Sequence, residues 1–145
     1  MKIIIDGDAC PSINKIELLA KSYNIDVDIV TDTSHIIDSQ YSNVIIVDKG
    51  NQSVDIFIAS NSKENDIVVT QDYGLAVMCL GKKAKIINPK GIIYDESNID
   101  RLLLNRHINQ KLRKMGTHVK GPKKRNIIDE ENLIKNLEHL IKETI

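Results

Sequence analysis

Short apolar runs alternate with longer helical stretches along most of this chain. Five runs rich in Ile and Val predict strands that are covered on both faces: Lys2–Ile5, Val27–Thr31, Val44–Val47, Ile67–Thr70 and Lys85–Asn88. Helical patterns cover Pro11–Tyr23, Gln52–Ser62, Tyr73–Leu80, Ile99–Met115 and Glu130–Glu143. Because this alternation is typical of βαβ units, we predict one α/β domain over residues 1–145, with three αβα layers and a mainly parallel sheet of about five strands.

Carboxylates follow several of these strands at the point where each strand ends. The first strand leads into Asp6-Gly7-Asp8, and the fourth leads into Gln71-Asp72. Adjacent parallel strands bring their carboxyl ends to one edge of the sheet, where ligands bind in open α/β folds. We therefore expect Asp6, Asp8 and Asp72 to lie close together, and Asp55, one turn into the second helix, to reach the same edge.

Neighbouring carboxylates repel one another unless a proton or a cation lies between them, and hard divalent cations prefer oxygen ligands. We therefore predict that Asp6, Asp8 and Asp72 bind Mg²⁺ or Mn²⁺, with Asp55 as a fourth catalytic residue beside them. The simpler interpretation needs no chemistry. Asp6 would end a strand, and Asp8 would cap the helix that begins near Pro11.

The zero net charge of the chain hides a strong segregation of charge. Residues 101–125 contain nine Lys or Arg and no Asp or Glu, which leaves 11 basic and 20 acidic residues elsewhere. Such a basic block favours a polyanionic partner, although a solvated helix face would have the same composition. The predicted nucleic-acid-binding residues are Arg106, Lys111, Arg113, Lys114, Lys120, Lys123, Lys124 and Arg125. Within the block, the Gly and Lys content near 116–128 predicts a flexible basic segment.

Other features of the composition narrow the setting. No apolar stretch approaches the ~20 residues of a membrane span, and the N-terminus does not resemble a signal peptide, so we expect a cytoplasmic protein with no membrane partner. The two cysteines have no metal-binding spacing. Four Tyr and one Phe offer few platforms for stacking bases. A homodimer could form through an exposed patch that includes Tyr41 or Tyr94.

The order of these motifs resembles the YaiI/YqxD family over essentially the whole chain. The resemblance rests on Asp6-Gly7-Asp8-Ala9-Cys10-Pro11, Val54-Asp55, Asp66 to Asp72, Arg106 and Gly121-Pro122. It implies a PIN-like fold with an acidic cluster of Asp6, Asp8, Asp55 and Asp72. It also implies metal-dependent phosphodiester hydrolysis, with RNA favoured over DNA by analogy with PIN domains. Two departures stand out, since Gln52 replaces an expected Asp, and Lys120 replaces one of two glycines before Pro122.

Three alternatives remain open at this point. The chain could be a PIN-like module that binds nucleic acid or protein without hydrolysis. An apolar strand ending in Asp-x-Asp also resembles haloacid dehalogenase-like phosphohydrolases, in which Asp6 would be the nucleophile and Asp8 the acid and base. Cys10, near a helix N-terminus, could be a nucleophilic thiolate.

Overall fold

The structure is a computed structural model that describes residues 1–8, 10–49, 53–121 and 124–145. Its strands are β1 (Ile3–Asp6), β2 (Val27–Asp32), β3 (Asn43–Val47), β4 (Ile67–Val69), β5 (Lys85–Ile87) and β6 (Ile93–Tyr94). Its helices are α1 (Ile13–Ser22), α2 (Ser53–Asn61), α3 (Tyr73–Gly81), α4 (Ile99–Lys114) and α5 (Ile127–Thr144).

The strands form one sheet in the order β3-β2-β1-β4-β5-β6. All neighbouring strands run parallel except β5 and β6, which pair antiparallel. The chain builds outward from β1 through β2 to β3, and then crosses over to β4 on the opposite side of β1. The order of the strands therefore reverses between β1 and β4, and such a switch point leaves a crevice beyond the carboxyl ends of the strands.

Each face of the sheet is covered by its own hydrophobic core. On one face, α1 and α5 pack against alternate strand residues such as Ile3, Ile5 and Val69. On the other face, α2, α3 and the start of α4 pack against Ile4 and Val68. The continuous apolar runs follow from this arrangement, because a strand with helices on both faces has no polar side. The predicted three-layer α/β fold with a mainly parallel sheet is confirmed.

The hairpin between β5 and β6 is fastened to α5 at a glycine. Gly91 has a φ of +88°, and a Cβ built there would lie 2.6 Å from the backbone carbon of Asn132. The Asn136 side-chain amide also donates to the Gly91 carbonyl at 2.7 Å. Only glycine fits this close approach without displacing α5.

Several predicted boundaries are corrected. The two-residue strand β6 was missed, since a strand this short has no detectable periodicity. Helix α5 begins three residues before the predicted start, because Asn126 is its N-cap and forms a capping box with Asp129. In front of α4, Asn98 occupies the N-cap position. Within the described ranges, no helix is long and apolar enough to cross a membrane.

Candidate functional site

A buried threonine joins the carboxylates on the two sides of the switch point. Thr70, which follows β4 and is 1% exposed, donates from Oγ1 to Asp6 Oδ2 at 3.0 Å. The same hydroxyl oxygen accepts the backbone N–H of Asp72 at 3.1 Å. One side chain therefore fixes the position of the Asp6 carboxylate and of the turn that carries Asp72.

Asp72 lies at the junction of this turn with helix α3. It is the N-cap of α3, and its Oδ1 accepts the backbone N–H of Leu75 at 3.1 Å. The capping explanation offered for Asp8 thus applies to Asp72. Helix α1 is instead preceded by Ser12 in the N-cap position. Capping the helix uses one carboxylate oxygen, so the second oxygen of Asp72 can make a further contact.

Burial and neighbouring carboxylates raise the pKa of two aspartates of this site, Asp6 and Asp55. Burial raises the pKa of Asp6, which is 7% exposed, and the charges of Asp8 and Asp72 raise it further against the lowering effect of the Thr70 hydrogen bond. Burial also raises the pKa of Asp55 to about 6, with further contributions from the charge of Asp72 and from a hydrogen bond to it. Asp55, in the first turn of α2, also feels the charges of Asp6 and Asp8. All four predicted aspartates therefore interact electrostatically.

An open cleft of about 410 Å³ lies over this cluster. Its lining consists of Asp6, Gln71, Asp72, Tyr73 and Arg106. Arg106 comes from α4, and its guanidinium carbon lies 5.8 Å from the centre of the Tyr73 ring, within cation–π range. The cleft thus combines carboxylates at the strand ends with one cationic side chain from α4.

Asp8 points to the other side of β1, toward β2. Thr31, which is fully buried, donates from Oγ1 to Asp8 Oδ1 at 3.0 Å. The His35 Nδ1 lies 3.3 Å from Asp8 and 3.2 Å from Asp32, while Ser34 donates to Asp32. Hydrogen bonds from Ser34 and His35 lower the pKa of Asp32. Asp8 is therefore near the cluster but faces a different set of partners.

Within the described part of the chain, Asp8, Asp32 and His35 are the acidic, histidine or cysteine residues that place three candidate ligand atoms within 4.8 Å of one another. Neither Asp32 nor His35 is among the site residues predicted from the sequence. A signal for Asp32 was present, because Thr31-Asp32 ends β2 in the same way as the aspartates that were selected. Neither threonine was selected, since a buried hydroxyl leaves no mark in a hydrophobicity pattern.

Gly7 separates the two carboxylates for a steric reason. A Cβ at this position would lie 3.0 Å from the Ile29 and Ile37 side chains and from the Val30 carbonyl oxygen. The Gly7 N–H donates to that carbonyl at 2.8 Å. The chain therefore stays pressed against β2 between Asp6 and Asp8, and this contact sends the two side chains to opposite sides of β1.

Apart from Arg125, the predicted basic residues divide into three groups. Arg106 lines the cleft, as described above. Five others are exposed and form no ion pair with the described residues: Lys111, Arg113, Lys114, Lys120 and Lys124. Lys123 lies outside the described residues, as do Gln52 and Pro122.

Arg125 has a structural role, because it connects segments that are distant in the sequence. Its Nε donates to the Pro89 carbonyl at 2.9 Å, and its Nη2 donates to Ser12 Oγ at 2.5 Å. Glu130 lies 3.9 Å from Nη1. This anchors the end of the basic segment to α1, α5 and the β5–β6 hairpin, so replacing Arg125 would disturb the fold as well as the charge.

Two residues considered in the sequence analysis are buried. Burial raises the pKa of the Cys10 thiol, which opposes the thiolate that a nucleophile needs. Tyr94 is 3% exposed, so it cannot belong to an exposed dimer patch. Its ring lies 5.4 Å from that of Tyr73, and Asn88 donates to its hydroxyl at 3.1 Å.

The donor set fits a hard divalent cation. Asp6, Asp55 and Asp72 supply carboxylate oxygens in a partly buried setting where their charges repel, and Asp8 adds to that field. A divalent ion among them would remove the repulsion that raises the pKa of Asp55, and oxygen-only ligands suit Mg²⁺ or Mn²⁺.

The family model described as "Uncharacterized BCR, YaiI/YqxD family" matches residues 4–143. A "UPF0178 protein" from Clostridium perfringens is 52% identical over 141 residues, which cover 97% of this chain and 95% of the relative. A namesake from Natranaerobius thermophilus is 46% identical over 146 residues, covering 100% of this chain and 96% of the relative. Among solved structures, the crystal structure of Rae1 (YacP) from Bacillus subtilis matches with a TM-score of 0.47 and 19% identity, over 99% of each chain.

Proposed function

This chain belongs to the uncharacterised YaiI/YqxD family, and from that premise we propose that it is a metal-dependent nuclease that hydrolyses phosphodiester bonds in RNA. The observation that supports this proposal most strongly is the crowding of aspartate carboxylates at the switch point of the sheet, beside a cleft with one arginine. RNA as the substrate follows from the resemblance to PIN-like domains.

In this proposal Asp6 and Asp72 hold the metal ion, with Asp55 and Asp8 at its margin. When bound, Mg²⁺ or Mn²⁺ polarises the phosphodiester and lowers the pKa of the attacking water. Thr70 fixes Asp6 and the turn that carries Asp72 relative to each other, so both metal ligands are positioned before the substrate binds. Arg106, which lines the same cleft, neutralises charge on the phosphate.

The exposed basic residues of α4 would hold the RNA strand beyond the cleft. They lie on the same helix as Arg106, so a strand whose phosphate reaches the cleft could continue along α4. Replacing Lys111, Arg113 and Lys114 together by Ala should weaken RNA binding and flatten its salt dependence, by about 0.7 in the logarithmic slope for each lost phosphate contact. Binding that keeps its salt slope would mean that these residues are only solvated.

The decisive experiment is cleavage of end-labelled single-stranded and hairpin RNA with Mn²⁺, with Mg²⁺ and with EDTA. We expect cleavage with either metal, none with EDTA, and none in Asp6→Asn. Asp38→Asn is the matched control, because Asp38 lines a different cavity, beside Tyr41. Cleavage that persists in EDTA, or in purified Asp6→Asn, would contradict the proposal.

The same experiment tests the two remaining alternatives. RNA that binds but is not cut with any metal would favour a non-catalytic binding module, for which the exposed basic residues of α4 are the supporting observation. The haloacid dehalogenase-like alternative predicts release of phosphate from small phosphomonoesters instead. Among the described residues, the cleft beside Asp6 contains Arg106 but no lysine, which does not match the lysine expected of that superfamily.

A further inference from the structure

A second cavity adjoins the cleft over the aspartates. It has a volume of about 430 Å³, within the range of ~300–1,000 Å³ that small-molecule sites occupy. Gln71 and Tyr73 line both cavities, so the two share a wall at the residues that directly precede and follow Asp72. Anything that occupies the second cavity would lie next to the carboxylates.

The walls of the second cavity suit a flat, aromatic group. Pro11, Pro89 and Ile92 contribute aliphatic surface, and the half-buried Tyr73 contributes a ring that packs against the buried ring of Tyr94. A flat ring can stack on Tyr73 and bury apolar area against the aliphatic side chains.

The polar groups of the cavity are positive or neutral. Arg125 is fixed by its bonds to Pro89 and Ser12, so its guanidinium forms a rigid cationic part of the wall. The Gln71 side chain is exposed at the junction with the cleft and can both donate and accept hydrogen bonds. The cavity contains no carboxylate among the described residues, in contrast to the neighbouring cleft.

We propose that the second cavity binds an unpaired nucleobase of the RNA, next to the phosphate that is cut. This inference rests on the proposed nuclease function and specifies its substrate as single-stranded at that position, because a base within a duplex cannot enter the cavity. Tyr73 then positions the substrate, since its ring separates the base from the aspartates. Tyr73 is thus the platform for the base, and the buried Tyr94 supports it from within.

The test compares ordinary RNA with RNA in which one nucleotide keeps its sugar and phosphate but has no base. Once the cut is mapped, one abasic nucleotide is introduced at each position on either side of it. We expect one adjacent position to lower kcat/KM about tenfold, the effect of losing one stacked base. The variant Ile92→Trp, which fills the cavity from a side chain that is 47% exposed, should lower kcat/KM for ordinary RNA by a similar factor and leave that abasic substrate unchanged.

Leu18→Trp is the matched control, since Leu18 is 69% exposed on α1 and lines a different cavity. It should cut both substrates at the native rate. The inference is overturned if no abasic substitution near the cut has an effect, or if Ile92→Trp slows both substrates equally.

Binding in EDTA separates failure of this inference from failure of the proposed function. The probe is a short single strand that contains the fluorescent base 2-aminopurine, and Ile92→Trp should weaken its binding about tenfold. Base-dependent binding without any cleavage would contradict the proposed nuclease function but support a base-binding cavity. Cleavage without base-dependent binding would contradict only the inference that the cavity binds a base.

Discussion

On each side of β1 a buried threonine donates a hydrogen bond to an aspartate, but the charges around the two aspartates differ. Toward β4, the buried Thr70 donates to Asp6, and toward β2, the buried Thr31 donates to Asp8. Asp6 then meets further carboxylates, and the pKa of Asp6 is raised. Asp8 instead meets Asp32 together with an imidazole, that of His35.

This difference indicates where a cation is needed. On the β4 side, Asp6, Asp55 and Asp72 repel one another and have no histidine, lysine or arginine in direct ion-pair contact within the described residues. On the β2 side, hydrogen bonds from Ser34 and His35 already lower the pKa of Asp32. A metal ion would therefore stabilise the β4 side more, which is why we assign the proposed chemistry there.

The largest expected effect concerns the charge of the carboxylates on the two sides. Asp72→Asn can retain the cap of α3 but loses a negative ligand, so we expect at least about a 100-fold loss of metal-dependent RNA cleavage. Asp32→Asn, the matched change on the β2 side, should alter the rate less than threefold. Single-turnover cleavage rates in Mn²⁺ make the comparison. Equal losses in the two variants would mean that the metal lies across both sides.

A second prediction compares the two threonines. Thr70→Val removes the donor to Asp6 and the acceptor of the Asp72 N–H, so two hydrogen bonds made by one buried hydroxyl are lost. We expect a loss of about 2 kcal/mol in the free energy of unfolding. Thr31→Val should lose less, because Asp8 is exposed and keeps His35. Urea denaturation in EDTA measures both values, and Thr70→Ser, which retains the hydroxyl, is the control. A larger loss in Thr31→Val would contradict the comparison.

The carboxylates at the strand ends are the part of this site that could be predicted from the sequence. Periodicity located β1 and β4, and parallel pairing implied that Asp6 and Asp72 share an edge of the sheet. Both inferences depend only on local pattern and general topology. The strand order, which puts β1 and β4 side by side at the switch point, also agrees with that expectation.

The remaining features depend on packing that no local pattern encodes. Asp6 and Asp8 are two residues apart, yet the contact of Gly7 with β2 sends them to opposite sides of β1. Arg125 appeared to be one more member of a basic run, and its anchoring role depends on Ser12 and Pro89, far away in the sequence. Tyr73 and Tyr94 meet only because the β5–β6 hairpin folds back beside α3.

A third prediction uses the raised pKa of Asp55. The folded-state pKa is about 6 and the ordinary value is 3.8, so the folded protein holds this proton more tightly than the unfolded chain. The ionised carboxyl therefore destabilises the fold fully above pH 6, and this cost decreases as the pH falls from 6 to 3.8 and is absent below 3.8. Asp55→Asn should be more stable by about 1 kcal/mol at pH 7.5 in EDTA, allowing for the solvent exposure of this side chain.

Thermal unfolding from pH 4 to pH 8 measures this gain, which should shrink as the pH falls. Mn²⁺ should reverse the order at pH 7.5, because the native protein keeps a ligand that Asp55→Asn has lost. Asp48→Asn is the control, as an exposed carboxyl beyond β3 at the edge of the sheet. A variant that is less stable than the native protein in EDTA would show that Asp55 is held by favourable contacts rather than by repulsion.

The smallest expected effect concerns His35, and it sharpens the boundary between the two sides. His35→Gln keeps a hydrogen-bond donor but removes an imidazole that contacts both Asp8 and Asp32. If the metal lies on the β4 side, Mn²⁺-dependent cleavage should change less than threefold, because exposed ion pairs contribute little. A loss above about 30-fold, together with a smaller shift of the unfolding temperature by Mn²⁺, would identify His35 as a ligand. Asp8 would then connect a metal position on the β4 side with one on the β2 side in a single site. The electrostatic difference between the two sides of β1 would in that case hold only for the metal-free protein.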